Sequence, residues 1–396
     1  MTDSPREHDR LTDIADYPYV AVTIQTTGIH PSTGRLLTLD ALTFNDAGET
    51  GRDFHAVLNP DTDRGPRHQH GLEADAEGQQ FSKILKPLDR LIDGRTLIVH
   101  DTPYTWGFLV AEARRAMTAA ARANRSRGRN RRRRQRVGHV PTPERIIDTL
   151  ATARRAEQDF TDIRLAAVAG HDATATAERA AQPEAETSRA ATQMLIELYR
   201  SQDEHSSYAP DDLRADRFGL QRSEVRVDAA QAPRLHHNSG FWHRGEQVRK
   251  GMEFVVAPET RIDPDELIAA GVTAELNYVE KLSRETSLVV CNRRHDLVGK
   301  AMHAHRKDIE LVTDEEFLEL LQDVAEPADA PEPAAPSQHP IPNANNRSRS
   351  RNAQGGKSGG KRRRGSRGGN RRRRGRGRGG NNGHKGGGND NHKKES

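Results

Sequence analysis

The sequence predicts an α/β protein in which a mixed β-sheet carries helices on its faces. Three apolar, β-branched runs separated by turn residues come first, which is typical of an antiparallel meander. Strand and helix patterns then alternate, which favours a mixed sheet covered by helices. A smaller α/β segment and a strongly basic tail follow in the chain of 396 residues.

The first strand begins at Tyr19 and runs into a turn at Gly28 and Pro31. Its apolar, β-branched side chains predict the strand, and the Thr-Gly and Pro residues predict its end. A helix with apolar residues spaced by three and four begins at Phe81 and is stopped by Gly94. The other elements predicted here are strands at 35–44, 53–60 and 96–100, a helix at 106–121, an apolar stop at 146–150 before a helix, and segments at 165–168 and 190–198.

Composition indicates that part of the chain cannot bury a core. The mean hydropathy is −0.89 and only 33% of the residues are hydrophobic, which is low for a wholly globular protein. The net charge of +5 is unevenly distributed, since residues 341–396 contain 18 Lys or Arg and 2 acids. Residues 113–142 contain 11 Arg and no acid. Acidic folded parts with two basic segments are typical of nucleic-acid-binding proteins.

The single cysteine, Cys291, excludes an intrachain disulfide and a cysteine-based zinc site. The polar N-terminus has no apolar core of a signal peptide, and no run of 18 apolar residues predicts a membrane span. We expect a cytoplasmic protein that can associate with the nucleoid and has no membrane partner.

The chain divides into five predicted segments. They are a disordered N-terminus at 1–17, an α/β domain at 18–200 with an Arg-rich insert at 122–136, a connector at 201–244, a second domain at 245–325, and a disordered linker and Arg/Gly-rich tail at 326–396. In the connector we expect a short helix at 211–218. Three histidines, His236, His237 and His243, raise the question of a metal site, but their spacing favours a surface loop.

The second domain is predicted to alternate strands and helices. Its most specific element is a helix that has Asp263 as its N-cap, Pro264 at its first position and Gly271 beyond its end. A capped amphipathic helix closes the domain at 313–321. The remaining elements are strands at 251–257, 274–276, 287–291 and 309–312 and a helix that begins at Gly299.

The first domain resembles the DEDD-type 3′–5′ exonucleases of RNase H-like fold, in particular the DNA polymerase III epsilon-subunit-like proteins of actinobacteria. The motifs that carry the resemblance are Thr26-Thr27-Gly28, Pro31-x-x-Gly34-Arg35, His70-Gly71-Leu72, Val99-His100, Asp148-Thr149-Leu150 and Leu165-Ala166-Ala167-Val168-Ala169, together with the connector Leu220–Asp228.

The resemblance implies a site of four carboxylates that hold two divalent cations, with a histidine as general base. Such a site clamps the attacking and leaving oxygens of a phosphodiester, and only carboxylates supply suitable anionic oxygens. In this chain Thr23 and Gln25 fill the first pair of positions and Thr105 the next. The third motif falls on Gln182 and Thr187. We therefore expect no phosphodiester hydrolysis by this mechanism, no catalytic residue, no metal ligand and no cofactor.

The alternative is an active, metal-dependent exonuclease that uses Mg²⁺ or Mn²⁺ on displaced ligands. The nearby acids and bases that could serve are Asp101, His171, Asp172, Glu178, Glu184 and Glu186. Random carboxylates on an alanine-rich helix more often form a solvated face.

The second domain is similar to BRCT domains through Thr286–Val290, Gly299-Lys300-Ala301 and Asp314–Phe317. Lys300 matches the phosphate-binding lysine of that family, but Ala257 stands where phosphopeptide-binding members have Ser or Thr. The resemblance implies docking of DNA or of replication and repair proteins.

These observations predict a nucleic-acid-binding protein, associated with DNA replication or repair, on an inactive exonuclease scaffold. Basic, apolar-poor segments bind phosphates chiefly by charge. The arginines expected to do so are Arg129, Arg131, Arg132, Arg133, Arg134, Arg362, Arg363, Arg364, Arg371, Arg372, Arg373, Arg374, Arg376 and Arg378.

Overall fold

A computed structural model describes residues 12–73, 75–126, 136–158, 162–171 and 182–328. Contacts divide the chain into two units, Met1–Glu332 and Pro333–Ser396, and all of the described residues belong to the first. The predicted tail lies outside the described residues, as do the arginines of the insert from Arg127 to Arg134. None of the described helices is both long and apolar enough to cross a bilayer.

The predicted mixed sheet covered by helices is confirmed. Within the described residues it has six strands in the order β3-β2-β1-β4-β5-β6. The first three form the predicted antiparallel meander, β4 and β5 continue in parallel with β1, and β6 closes the edge antiparallel to β5. The strands are β1 (Tyr19–Thr26), β2 (Leu36–Phe44), β3 (Thr50–Val57), β4 (Thr96–Val99), β5 (Arg145–Asp148) and β6 (Ser207–Tyr208).

Helices cover both faces of this sheet because alternate side chains of each strand point to opposite sides. Val20 and Val22 of β1 pack with the helices that follow β3 and β4, whereas Ala21 packs with the long helix after residue 183. The helices of this part are α1 (Arg67–His70), α2 (Phe81–Ile92), α3 (Thr102–Ser126), α4 (Thr149–Arg155), α5 (Leu165–Val168) and α6 (Glu184–Ser201).

Three boundaries differ from the predictions. Residues 12–16 are helical rather than disordered, and Asp13 forms ion pairs with Arg52 and with the buried Arg95. Helix α3 continues to Ser126, so the first residues of the predicted Arg-rich insert are helical. Arginine favours helix nearly as well as leucine, and an established helix propagates easily into such a run. Strand β6 carries the sheet past residue 200.

The connector does not contain the helix predicted at 211–218. A 3₁₀ turn at Pro210–Asp212 leads into a two-stranded hairpin of β7 (Leu213–Ala215) and β8 (Gln221–Ser223), which is followed by helix α7 (Glu224–Gln231). The hairpin loop is closed by Asp216, whose carboxylate accepts hydrogen bonds from the N–H groups of Phe218 and Leu220. Gly219 supplies the left-handed conformation, with φ of +82°.

The second domain is built on a parallel sheet with the strand order β10-β9-β11-β12 among the described residues. Helices α8 and α10 cover one face of it and α9 the other. The elements are β9 (Glu253–Val256), α8 (Pro264–Thr273), β10 (Asn277–Tyr278), β11 (Thr286–Val290), α9 (Gly299–His305), β12 (Glu310–Val312) and α10 (Asp314–Leu320).

The helix caps of the second domain lie at the residues that the sequence predicts, with one exception. Asp263 accepts from the N–H of Asp265, and Thr313 and Glu316 form a reciprocal capping box. Gly271, however, lies inside α8 rather than beyond its end. A Cβ atom there would lie 2.4 Å from the ring of Phe254, so this glycine is needed for close packing of the helix on β9.

Candidate functional site

The positions where the exonuclease family carries its first carboxylates lie together in a cleft at the end of β1. Thr23, Gln25 and Thr105 all line this cavity, which has a volume of about 950 Å³. The carboxyl end of β1, the start of α3 and the first half of α6 meet there. The fold thus brings these three predicted positions together, and none of the three side chains is ionisable.

The threonine hydroxyls of the cleft bind neighbouring protein groups. The Thr23 hydroxyl lies 2.7 Å from that of Thr192 and 3.5 Å from the carbonyl oxygen of Ser188, both on α6. Thr105 donates to the carbonyl oxygen of His100 at 3.1 Å. The contacts of Thr23 therefore hold β1 against α6, and the contact of Thr105 holds α3 against the residue that follows β4.

The residues predicted for the third motif lie away from the cleft. Gln182 and Thr187 do not line the cleft, and Thr187 instead donates to the carbonyl oxygens of Gln182 and Pro183 at the start of α6. The residues of α6 that line the cleft are Ser188 and Ala191. The buried face of α6 runs through positions 184, 188 and 192, and this spacing of four could have identified Ser188 from the sequence.

The acids that were considered as displaced ligands are scattered. Glu184 faces His55, with 3.2 Å between the carboxylate and Nε2, and Glu186 is exposed on the first turn of α6. His171 and Asp101 do line the cleft. Asp172 and Glu178 lie outside the described residues.

Asp101 is the acid of greatest interest because it follows β4 directly and has a left-handed φ of +68°. Burial, together with the negative charge of Asp148, raises the pKa of Asp101 to about 6. Its carboxylate accepts a long hydrogen bond of 3.4 Å from the N–H of Tyr104. It is thus a carboxyl group that the fold holds at some cost in its charged form.

His100 is engaged in the wall of the cleft and is held neutral. Its Nε2 donates to the carbonyl oxygen of Ile163 at 2.8 Å, so Nδ1 accepts from the hydroxyl of Thr149 at 2.9 Å. Burial lowers the pKa of this imidazole. Both ring nitrogens are used, which leaves neither available to accept a proton from a reacting group.

The side chains of the described residues that line the cleft do not fit a pair of divalent cations. Such a pair needs several converging carboxylates to offset the loss of hydration. Besides Asp101, the carboxylate lining the cleft is Asp162, which is paired with Arg164 at 2.5 Å. Within the described part of the chain, the group of three metal-capable side chains whose ligand atoms converge is Asp89, Asp93 and His139, and none of these lines the cleft.

That cluster sits where the chain leaves the Arg-rich insert. The ring of His139 contacts Asp93 through Nε2 at 2.9 Å and Asp89 through Nδ1 at 3.2 Å. Thr142 adds hydrogen bonds to Asp93 from its N–H and its hydroxyl. Asp89 lies in the last turn of α2 and Asp93 follows its last residue as the C-cap, so the cluster fastens the segment after the insert to the end of that helix.

The remaining predicted residues have structural partners. The ammonium of Lys300 donates to the carbonyl oxygen of Val256 at 3.0 Å and to Glu280 at 3.3 Å, and burial lowers its pKa to about 8. His236 lies 2.6 Å from Glu275. Among the described residues, His236, His237 and His243 do not converge as metal ligands.

No family model matches the sequence, and no curated protein matches it. Similar solved structures include the zinc-bound complex of Escherichia coli ExoI with ssDNA, at 14% identity and a TM-score of 0.32 over 46% of this chain and 39% of that one. The RNase domain of the yeast Pop2 protein has 14% identity and a TM-score of 0.29 over 49% and 79%. Brucella melitensis NrnC has 13% identity and a TM-score of 0.25 over 48% and 74%. The chain thus spans about two fifths of ExoI, and similarity of this extent does not assign it to a family.

Replacing Asp101 with asparagine is expected to stabilise the protein at pH 8 by about 1–2 kcal/mol. The raised pKa means that the folded state binds a proton more tightly than the unfolded state, whose aspartate pKa is about 4. Stability contributed by this group is therefore present near pH 4 and is lost as the pH rises to about 6 and above. Asparagine tolerates the left-handed backbone of this position.

Urea denaturation of both proteins at pH 4 and pH 8 measures this effect. The gain should appear at pH 8 and vanish near pH 4. Asp162→Asn is the matched control, because Arg164 lowers the pKa of that exposed carboxylate and no gain is expected. A loss of stability at pH 8 in Asp101→Asn would contradict the assignment.

Proposed function

We propose that the protein binds nucleic acid without cleaving it, on a scaffold of the exonuclease type. The observation that carries this proposal is that Thr23, Gln25 and Thr105, which the resemblance assigns to carboxylate positions of the family, line the cleft with neutral side chains. Neutral oxygens supply no charge to offset the desolvation of two dications.

The shape of the cleft supports binding. It is open, it has a volume of about 950 Å³, and its rim includes Ile29, whose side chain is 71% exposed. An apolar side chain at the rim of a cleft offers a surface on which a nucleobase can pack. The basic segments at 122–136 and 341–396 would add phosphate contacts.

The second candidate function is a metal-dependent 3′–5′ exonuclease with Mg²⁺ or Mn²⁺ on displaced ligands. The observation in its favour is Asp101, which faces the cleft and follows β4 directly. One carboxylate is a weak basis for a two-metal site, so we favour the non-catalytic function.

Incubation of the full chain with 5′-labelled single-stranded DNA and RNA, with Mn²⁺ or Mg²⁺, distinguishes the two functions. We expect retardation of the strands and no shortening. Metal-dependent shortening that is lost in Asp101→Asn and kept in Glu186→Gln would establish the exonuclease instead. Glu186 is the appropriate control because it is exposed on α6 and does not line the cleft.

We further propose a place in DNA replication or repair, with the second domain, residues 245–325, as a BRCT-like docking module for proteins of those processes. Its four parallel strands and three helices are compatible with such a module. Lys300 is bound to Glu280 within the same domain, so a phosphopeptide at this lysine would have to displace that carboxylate. Co-purification with and without residues 245–325 tests this part of the proposal.

A further inference from the structure

A second cavity, of about 450 Å³, lies where the first domain, the connector and the second domain meet. It adjoins the cleft, since Ile29, Asp101 and Tyr104 line both. Five cations from three parts of the chain line this cavity. They are Arg154 and Arg155 of α4, Arg222 of β8, Arg226 of α7 and Lys300 of α9.

Three of these cations surround a single carboxylate, that of Glu280. Its oxygens lie 3.4 Å from Arg222, 3.7 Å from Arg226 and 3.3 Å from Lys300, and they accept a hydrogen bond of 2.6 Å from Tyr278. Although burial favours its neutral form, the three cations lower the pKa of Glu280 to about 2. Three cations thus share the single negative charge of Glu280. We call Glu280, Arg222, Arg226 and Lys300 the Glu280 cluster.

The other acids of the cavity have partners of their own or are buried at a cost to their charged form. Asp263 pairs with Arg155 at 2.6 Å, and Asp148 accepts backbone N–H groups of α3 and α4. Burial raises the pKa of Asp101 and of Asp265. Asp216, at the edge of the connector hairpin, pairs with Arg222 at 3.0 Å. Three cations of the Glu280 cluster are thus in ion-pair contact with two carboxylates, those of Glu280 and Asp216.

Two guanidinium groups in the wall also have unused donors. The Nε atoms of Arg154 and Arg226 are buried and make no hydrogen bond within the described part of the chain. Their nearest carboxylates, Glu259 and Glu280, lie 3.7 Å away, which is too far for a hydrogen bond. Buried donors of this kind favour an anionic acceptor, and guanidinium binds phosphate in a planar, bidentate fashion.

We infer that the Glu280 cluster is a phosphate-binding subsite for the backbone of a single-stranded nucleic acid whose end occupies the neutral cleft. This inference rests on the proposed function, because it places the strand in the cleft. Because the two cavities share lining residues, a strand that ends in the cleft lies close to the Glu280 cluster. Glu280 acts as an internal competitor for the phosphate, so that binding displaces its carboxylate from the arginines.

Arg222→Ala in the full chain tests the subsite, with Arg214→Ala as the matched control. The two arginines lie directly opposite each other in the β7–β8 hairpin. Arg214 pairs with Glu224 and Asp228 and does not line the cavity. We expect Arg222→Ala to weaken binding of a fluorescent oligonucleotide about tenfold and to reduce its salt slope by about 0.7. Equal affinities for the two variants would overturn the inference.

Glu280→Gln provides the second arm, with pyrophosphate as the probe. Removal of the carboxylate takes away the negative charge that three cations share and leaves Arg222 with Asp216, so the variant should melt at a lower temperature than the wild type. Pyrophosphate should then raise its melting temperature more than that of the wild type, because it supplies the missing charge. An equal response of the two proteins shows that the cluster serves only as an ion-paired contact between domains, and the inference fails.

The two arms separate failure of the inference from failure of the proposed function. If the wild-type protein binds no oligonucleotide, the proposed function fails, whereas the pyrophosphate arm still decides whether the subsite takes an anion. Both measurements should be made at a salt concentration that suppresses binding by the Arg-rich segments.

Discussion

Replacing Asp148 with alanine is expected to destabilise the folded protein by about 4 kcal/mol. The buried carboxylate accepts hydrogen bonds from four backbone N–H groups, those of Asp101 and Thr102 before α3 and of Leu150 and Ala151 in α4, at 2.6–3.2 Å. One cap is worth about 1 kcal/mol, and buried donors that lose their acceptor cost about 1–3 kcal/mol each. Alanine removes the acceptors for both helices at once.

Urea denaturation at pH 7 measures this loss, and Thr313→Ala is the control. Thr313 caps α10 alone, through the N–H of Glu316, so its removal should cost about 1 kcal/mol. If Asp148→Ala lowers the free energy of unfolding by no more than Thr313→Ala does, the stabilisation that we assign to Asp148 as the cap of two helices is too large. Since Asp148 also lines the second cavity, the variant should lose oligonucleotide affinity in step with its stability.

Deleting residues 341–396 is expected to lower nucleic-acid affinity by about three orders of magnitude at low salt. The deleted segment carries 18 Lys or Arg against 2 acids. Each phosphate contact to a single strand contributes about 0.7 to the slope of the logarithm of affinity against the logarithm of salt concentration. If the tail makes about six such contacts, the slope falls by about 4.

Titration of a labelled oligonucleotide at several salt concentrations gives both quantities. A tail of the same length in which serine replaces every Lys and Arg is the control for chain length. This control should behave like the deletion. A slope that does not change on deletion would assign the phosphate contacts to other parts of the protein, with the insert at 122–136 as the first candidate.

Local patterns predicted the secondary structure well wherever burial and capping agree with sequence spacing. The β-branched positions of β1, the spacing of apolar residues in α2 and the capping box of α10 gave the correct elements. The helix predicted at 211–218 in the connector was wrong, because Asp216 and Gly219 close a hairpin loop there. This turn outweighs the helical pattern of the sequence. Gly271 was misplaced because the ring of Phe254, distant in sequence, requires it.

The candidate site could be predicted only in part. The neutral residues of β1 and α3 were located from their neighbours in sequence, and the structure brings Thr23, Gln25 and Thr105 into one cleft. Gln182 and Thr187 of the predicted third motif do not line the cleft, because the alanine-rich sequence before Glu184 gives little information on register. The Glu280 cluster was not foreseen, since its members come from three segments that meet only in the folded chain.

Helix α3 sets a distance for any nucleic acid that contacts both ends of the first domain. It begins at Thr102 beside the cleft and ends at Ser126, where the Arg-rich insert continues. At 1.5 Å per residue, its 25 residues separate these points by about 37 Å. One strand of a duplex advances about 3.4 Å per base pair. A footprint that includes both points therefore covers about eleven base pairs, roughly one full turn of the double helix.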